Sequence, residues 1–146
     1  ELVQREPLAI VRQGEQRCLC DPEGVVLEEK GEMMEGLPAV EVGGTGIGRV
    51  APGTRIADGQ LREALRAVSF LKAKGAEAPE RVRLSSERGM EIRLTGGPLL
   101  RLGTPTRVEE KLALCLAVLG RRVATSQISV VDVSCPDYSY YEIVSR

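Results

Sequence analysis

Three consecutive runs of the chain, RVRLSS, GMEIRLTG and PLLRLG, alternate apolar and polar residues with a period of two, and the breaks between them fall at Glu87-Arg88-Gly89 and Gly96-Gly97. That period belongs to strands, whose successive side chains point to opposite faces, while glycine supplies the backbone freedom of tight turns. The segment therefore predicts a three-stranded antiparallel meander with one apolar and one solvated face. An apolar sheet face has to be covered, so the rest of the sequence must supply what packs on it.

Two segments do. DGQLREALRAVSFLKAKG sets Leu61, Leu65, Val68 and Leu71 along one stripe of a helix, with Asp58 placed as N-cap and Gly75 at the stop. TPTRVEEKLALCLAVLGRR predicts a second helix that buries Val108, Leu112, Cys115, Leu116 and Leu119 and ends at Gly120. Its start is set by Thr104 ahead of Pro105, or by Thr106 three residues ahead of Glu109. Upstream, LVQREPLAIVRQ reads as a strand and EQRCLCDPEGVVLEE as a hairpin around the turn Asp21-Pro22-Glu23-Gly24. LPAVEVGG adds a short extended piece, GGTGIGRVAPGTRI is a connection, and QISVVDVS and YSYYEIVS are strands joined by Cys135-Pro136-Asp137. Strand runs that come as hairpins, with two helices far apart in sequence, predict an α+β fold: a largely antiparallel or mixed β-sheet with two amphipathic helices packed on it, as a single domain over residues 1–146.

Composition narrows the chemistry. A chain of 146 residues is long enough for one core. It contains no histidine, which excludes histidine bases, the usual serine and cysteine triads and histidine-ligated metals. The net charge of −1 gives no long-range field that would gather nucleic acid. Cys18 and Cys20 are spaced C-x-C while Cys115 and Cys135 stand alone, so no zinc pattern forms and no metal or cofactor is expected. Buried thiols acting as small hydrophobes are the plain reading, with a bond from Cys18 or Cys20 to Cys115 or Cys135 as the alternative. No run reaches 18 apolar residues, and the opening on Glu1, already strand-like, reads as a piece of a longer protein.

The glycines from Gly43 to Gly53 tempt a phosphate-loop reading, but they match neither G-x-G-x-x-G nor a Walker pattern and lie about ten residues before the next helix. A flexible connector is the simpler reading, and a small-ligand or catalytic domain built on this loop is the alternative function. Glu28-Glu29 and Glu109-Glu110 read as solvated acids, and Lys72, Lys74 and Lys111 as routine helix-surface lysines.

The tyrosines stand out. Tyr138, Tyr140 and Tyr141 are all the tyrosines of the chain, which otherwise has one phenylalanine, Phe70, and no tryptophan. On a strand Ser139, Tyr141 and Ile143 share one face, and Tyr138, Tyr140, Glu142 and Val144 the other. A terminal strand at a sheet edge leaves N–H and C=O groups free to pair with an extended peptide, and tyrosine adds contact area with a polar tip. The competing reading is that tyrosines are good strand formers in a strand covered by others.

In order and spacing, REPLAIV leading to CLCDPEGVVLEE, then LPAVEVGG, the helix from Asp58, GMEIRLTGGPLLRLG, the second helix and ISVVDVSCPDYSYYEIV resemble the C-terminal β domain of the bacterial division protein family FtsQ, called DivIB in Gram-positive bacteria. The resemblance implies a non-enzymatic division scaffold with a cytoplasmic tail, one transmembrane helix and a small POTRA domain upstream, and with this domain outside the membrane at the septum. It implies FtsB- and FtsL-like (DivIC-like) partners, one of which adds a strand to the domain's last strand. Asp132 to Ser134 match the family's Asp-Leu-Arg tract, and Cys135 falls where an aromatic partner contact is common. Ser134 lacks the arginine charge and Cys135 the ring, so the nearby tyrosines are expected to stand in. The candidate partner-binding residues are accordingly Cys135, Tyr138, Ser139, Tyr140, Tyr141, Glu142 and Ile143. An interaction module of another envelope assembly is the remaining alternative.

Overall fold

A computed structural model describes residues 6–29, 36–43, 51–56, 58–76, 79–120, 128–135 and 140–143, with backbone only for 28, 29 and 140–143. The strands are β1 (Ala9–Gln13), β2 (Gln16–Cys20), β3 (Val26–Glu29), β4 (Ala39–Val42), β5 (Pro79–Ser85), β6 (Gly89–Leu94), β7 (Leu99–Gly103), β8 (Ile128–Asp132) and β9 (Tyr140–Ile143). Two helices, α1 (Gly59–Ala73) and α2 (Val108–Leu119), interrupt them. All the described strands join one nine-stranded sheet in the order β3-β2-β1-β4-β5-β6-β7-β8-β9. The fold is α+β, as the pattern of runs predicts.

The meander β5-β6-β7 forms as expected, and so does the hairpin β2-β3. Its turn is fixed by Asp21, whose carboxylate accepts from Glu23 N at 3.0 Å and Val25 N at 2.8 Å. β4 is more than the short extended piece expected. It lies between β1 and β5, parallel to both, with Val40 fully buried. Parallel neighbours need a long crossover, and α1 provides the one from β4 to β5 just as α2 provides the one from β7 to parallel β8.

Register puts two rows back to back. On the helix side, paired positions run Cys18, Val11, Val40, Val82, Ile92, Leu100, Val131, and all of these are fully buried. One residue away on each strand, on the open side, paired positions run Arg17, Arg12, Glu41, Arg83, Glu91, Arg101, Asp132. Arg17 and Arg12 are like charges, and from Arg12 onward charge alternates at every step. Arg83 lies 3.3 Å from Glu41, and Arg101 lies 3.3 Å from Glu91. Pairs of this kind contribute roughly 0.2–1 kcal/mol each, whereas burying one aliphatic side chain of the first row contributes about 1.5–3 kcal/mol. The apolar row holds the sheet to the helices, and the charged row keeps the other face in water.

α1 packs on β4 and β5, α2 on β7 and β8, and the helices touch each other. Asp58 caps α1 as expected, its carboxylate accepting from Gln60 N at 2.8 Å and Leu61 N at 3.2 Å. Leu61, Leu65, Val68 and Leu71 are buried, joined by Ala64 and Ala67. α2 departs from the sequence reading in three ways. Neither Thr104 nor Thr106 caps it: Arg107 holds that position with φ 53°, without a side-chain bond to the helix backbone. Its guanidinium instead grips Glu110 through bonds of 2.7 and 2.5 Å, which holds the Glu110 carboxyl below its usual range. Leu116 and Leu119 are only half-buried, and Val118 takes the core place instead. Lys111 is not a surface lysine. It is 2% exposed and donates from Nζ to the Thr104 carbonyl at 2.8 Å, with its pKa lowered by desolvation and then by Arg107.

The strands meet most closely where β6, β7 and the end of β8 converge. Gly89 and Gly103 both have φ of 69°, a Cβ on Gly89 would run into the Gly103 carbonyl, and one on Gly103 would sit 2.6 Å from Ser134 Cβ. Gly96, with φ of 65°, has nothing within 4 Å of that position. The pair separates backbone strain from crowding. Gly96→Ala is expected to cost about 1 kcal/mol for the left-handed backbone alone, and Gly103→Ala about 3 kcal/mol or more because crowding adds to it. Urea denaturation of both variants checks this, and equal losses would refute the close approach.

Candidate binding edge

A sheet has two edges, and here they differ. At the β3 edge, Val26 N–H donates to the Thr54 carbonyl at 2.8 Å and Gly53 N–H donates to the Val26 carbonyl at 2.8 Å. A bridge pairs Val25 with Arg55, and Ile56 N–H donates to the Gly24 carbonyl at 2.9 Å. The segment 53–56 thus closes that edge around Val26. At the opposite end β9 pairs antiparallel with β8, and among the described residues no strand pairs with its outer side.

β8 is held firmly from within. It runs parallel to β7, and Val133 N–H extends the ladder to the Arg101 carbonyl at 2.9 Å. Asp132 then turns the chain: its carboxylate accepts from Ser134 N–H at 3.0 Å and from the Ser134 hydroxyl. Gly103, lacking a side chain, lets Ser134 close onto the end of β7. The tract Asp132 to Ser134, singled out in the sequence by family resemblance, is the hinge between the interior strands and the terminal one. In this support Gly103 carries a signal in the sequence only as the end of a strand and Arg101 carries none, because nothing in the sequence says that β7 and β8 are neighbours.

Of the residues proposed for binding, Cys135 is exposed just beyond that hinge. Tyr140, Tyr141, Glu142 and Ile143 form β9 and stand opposite Asp132, Val131, Val130 and Ile128, with an irregularity between Ile128 and Val130. Tyr138 and Ser139 lie outside the described residues. Both rows of the sheet therefore reach β9 at a tyrosine: the apolar row through Val131 to Tyr141 and the charged row through Asp132 to Tyr140.

The other candidates come to less. Cys18 and Cys20 lie with sulfurs 3.7 Å apart, unbonded, and all four cysteines are free, so the alternative disulfides to Cys115 or Cys135 do not form. The bond with Cys18 and burial push the Cys20 thiol up, and burial, then Asp132, pushes the Cys115 thiol up to about 12. No cluster able to hold a metal occurs among the described residues. Of the glycine-rich stretch, Gly43 bonds to the Leu84 carbonyl at 2.9 Å and residues 51–56 serve the β3 edge, while 44–50 lie outside the described residues.

These features define a class: a mixed sheet backed by helices on one face, with the last described strand, supported by β8, at one end of the sheet. The family model "Cell division protein FtsQ/DivIB, C-terminal" matches residues 9–134, and the chain belongs to that family. It is a cell-division domain, from a family of membrane-anchored division proteins with an extracytoplasmic domain. The matched region ends at Ser134, so β9 and its tyrosines lie beyond it. A comparison with curated proteins finds no match. Among the described residues no helix is long and apolar enough to cross a membrane.

Burial sets the thiol chemistry. Cys18, Cys20 and Cys115 are fully buried and Cys135 is exposed. An aromatic disulfide reagent at pH 8 is expected to titrate one thiol rapidly in the native protein and all of them in denaturant, with Cys135→Ser removing the fast phase. A fast phase that survives this substitution would contradict the placement of β8 and its hinge.

Proposed function

We propose that this domain is a non-enzymatic divisome scaffold that recruits FtsB/FtsL-like (DivIC-like) membrane proteins for septal cell-wall synthesis by taking an extended partner segment as a further strand on β9. The full-length protein is anchored by one transmembrane helix and presents the domain on the extracytoplasmic face of the cell membrane at the septum. The observation that carries this reading is the asymmetry of the two edges: β3 is closed around Val26 by segment 53–56, whereas among the described residues β9 ends the sheet. Strand addition draws affinity from main-chain hydrogen bonds and specificity from side chains at alternate positions. β9 has what this requires, with an interior support in β8 and two tyrosines in four residues. Cys135, Tyr138 and Ser139 complete the proposed partner-binding set.

The test is a titration of the domain with the ectodomain of its FtsB- or FtsL-like partner. Tyr140→Ala and Tyr141→Ala are each expected to weaken binding about tenfold, as anchors of an interface do. Ile143→Pro, which removes an N–H and fixes φ, is expected to weaken it further. Arg55→Ala at the far edge serves as the control, with thermal unfolding confirming that each variant is folded. Affinities unchanged by all three β9 substitutions would rule the site out.

A further inference from the structure

The open face of the sheet carries an uneven distribution of charge. In the row from Arg12 to Asp132 every residue faces the opposite charge on the next strand. Two residues away on the same strands and the same face, a second row reads Ala39, Arg81, Arg93, Leu99, Val130. There Arg81 stands directly opposite Arg93, an arrangement that destabilises a strand pair when nothing lies between the charges.

Two of the carboxylates nearby are already engaged. Glu41 lies 3.5 Å from Arg81 and 3.3 Å from Arg83, and Glu91 lies 3.3 Å from Arg101. Arg93 is exposed and has no ion pair among the described residues. Arg81 and Arg83 thus share Glu41. An open depression of ≈ 290 Å³ lies here, lined by Arg81, Arg83, Arg88 and Arg93 against the two carboxylates Glu80 and Glu91, with Leu99.

We propose that Arg81 and Arg93, flanked by Arg83 and Arg88, form a binding site for a phosphoryl dianion. The local excess is two positive charges, which one carboxylate does not neutralise and a phosphoryl group does. Two guanidinium forks side by side on adjacent strands can each donate two parallel hydrogen bonds to its oxygens. The strands β5 and β6 beneath are interior to the sheet, so the forks start from a rigid base. Their mutual repulsion in the empty site becomes attraction to the bound anion. The site lies on the face opposite the helices and four strands in from β9, and it does not depend on strand addition.

The test is a titration of the ¹⁵N-labelled domain with inorganic pyrophosphate at low salt, following the arginine Nε–H signals and the amides of β5 and β6. Saturable shifts confined to those strands are expected, with affinity falling about 5-fold for each of Arg81→Gln and Arg93→Gln and declining as salt is raised. Arg66→Gln on α1 should change nothing. The thermal midpoint of unliganded Arg93→Gln should equal or exceed that of the wild type, because this substitution relieves repulsion without removing an ion pair. Sedimentation with phosphatidic acid and phosphatidylcholine vesicles then identifies the source: retention on the phosphomonoester vesicles alone, lost in the double variant, assigns a lipid headgroup, and pyrophosphate binding without retention assigns a soluble phosphate compound. Absence of saturable shifts, shifts that survive in the double variant, a lowered midpoint of Arg93→Gln, or a polyglutamate peptide binding as tightly as pyrophosphate would overturn the site.

Discussion

The register of the sheet is the constraint on which the rest of this domain depends. Across β1, β4, β5, β6, β7 and β8 each strand gives one residue to a fully buried row under the helices and an adjacent residue to a charged row on the open side. A slip of one residue in any strand would drive a charge into the core and lift an aliphatic side chain into water. Such a slip loses the burial of several apolar groups and strands an unpaired charge at once, so the energetic gap protecting the register is far larger than any ion pair across the strands. The charged row adds little stability, but it makes the wrong register expensive and keeps the helix-free face soluble.

Continuity across the sheet rests on β4. The hairpins β3-β2-β1 form one half and β5 through β9 the other, and among the described residues β4, bonded in parallel on both sides, is the strand that joins them. α1 and α2 are therefore more than covers. Each is the crossover that permits a parallel neighbour, and together they carry the order of strands outward until β9 is left at the end. The position of the candidate edge follows from this topology, with the β7-β8 ladder and the Asp132–Ser134 turn setting the strand that β9 pairs with.

What was legible in the sequence was what local chemistry determines. Period-two runs around glycine gave the meander, Asp58 gave a helix start confirmed by two hydrogen bonds, and Asp21-Pro22-Glu23-Gly24 gave a hairpin turn. What was not legible depends on which distant segments meet. Ala39–Val42 looks peripheral because its central role comes from neighbours some thirty and forty residues away. The placement of each helix between two strand runs was a usable sign of parallel pairing, weaker than the hairpin signals around it. At α2 the two threonines offered reasonable caps, but Thr104 gives its carbonyl to Lys111 and the Arg107–Glu110 fork holds the first turn. The terminal tyrosines pointed to the edge. Their support at Arg101 and Gly103 emerged only with the topology.

Hydrogen exchange at β9 tests the central claim most directly. In the free domain alternate amides of Tyr140–Ile143 bond to β8 and the others face outward, so the account predicts slow and fast exchange in alternation, with the fast set becoming slow when the partner ectodomain binds. Uniform protection in the free domain, or outward amides that stay fast in the complex, would contradict it.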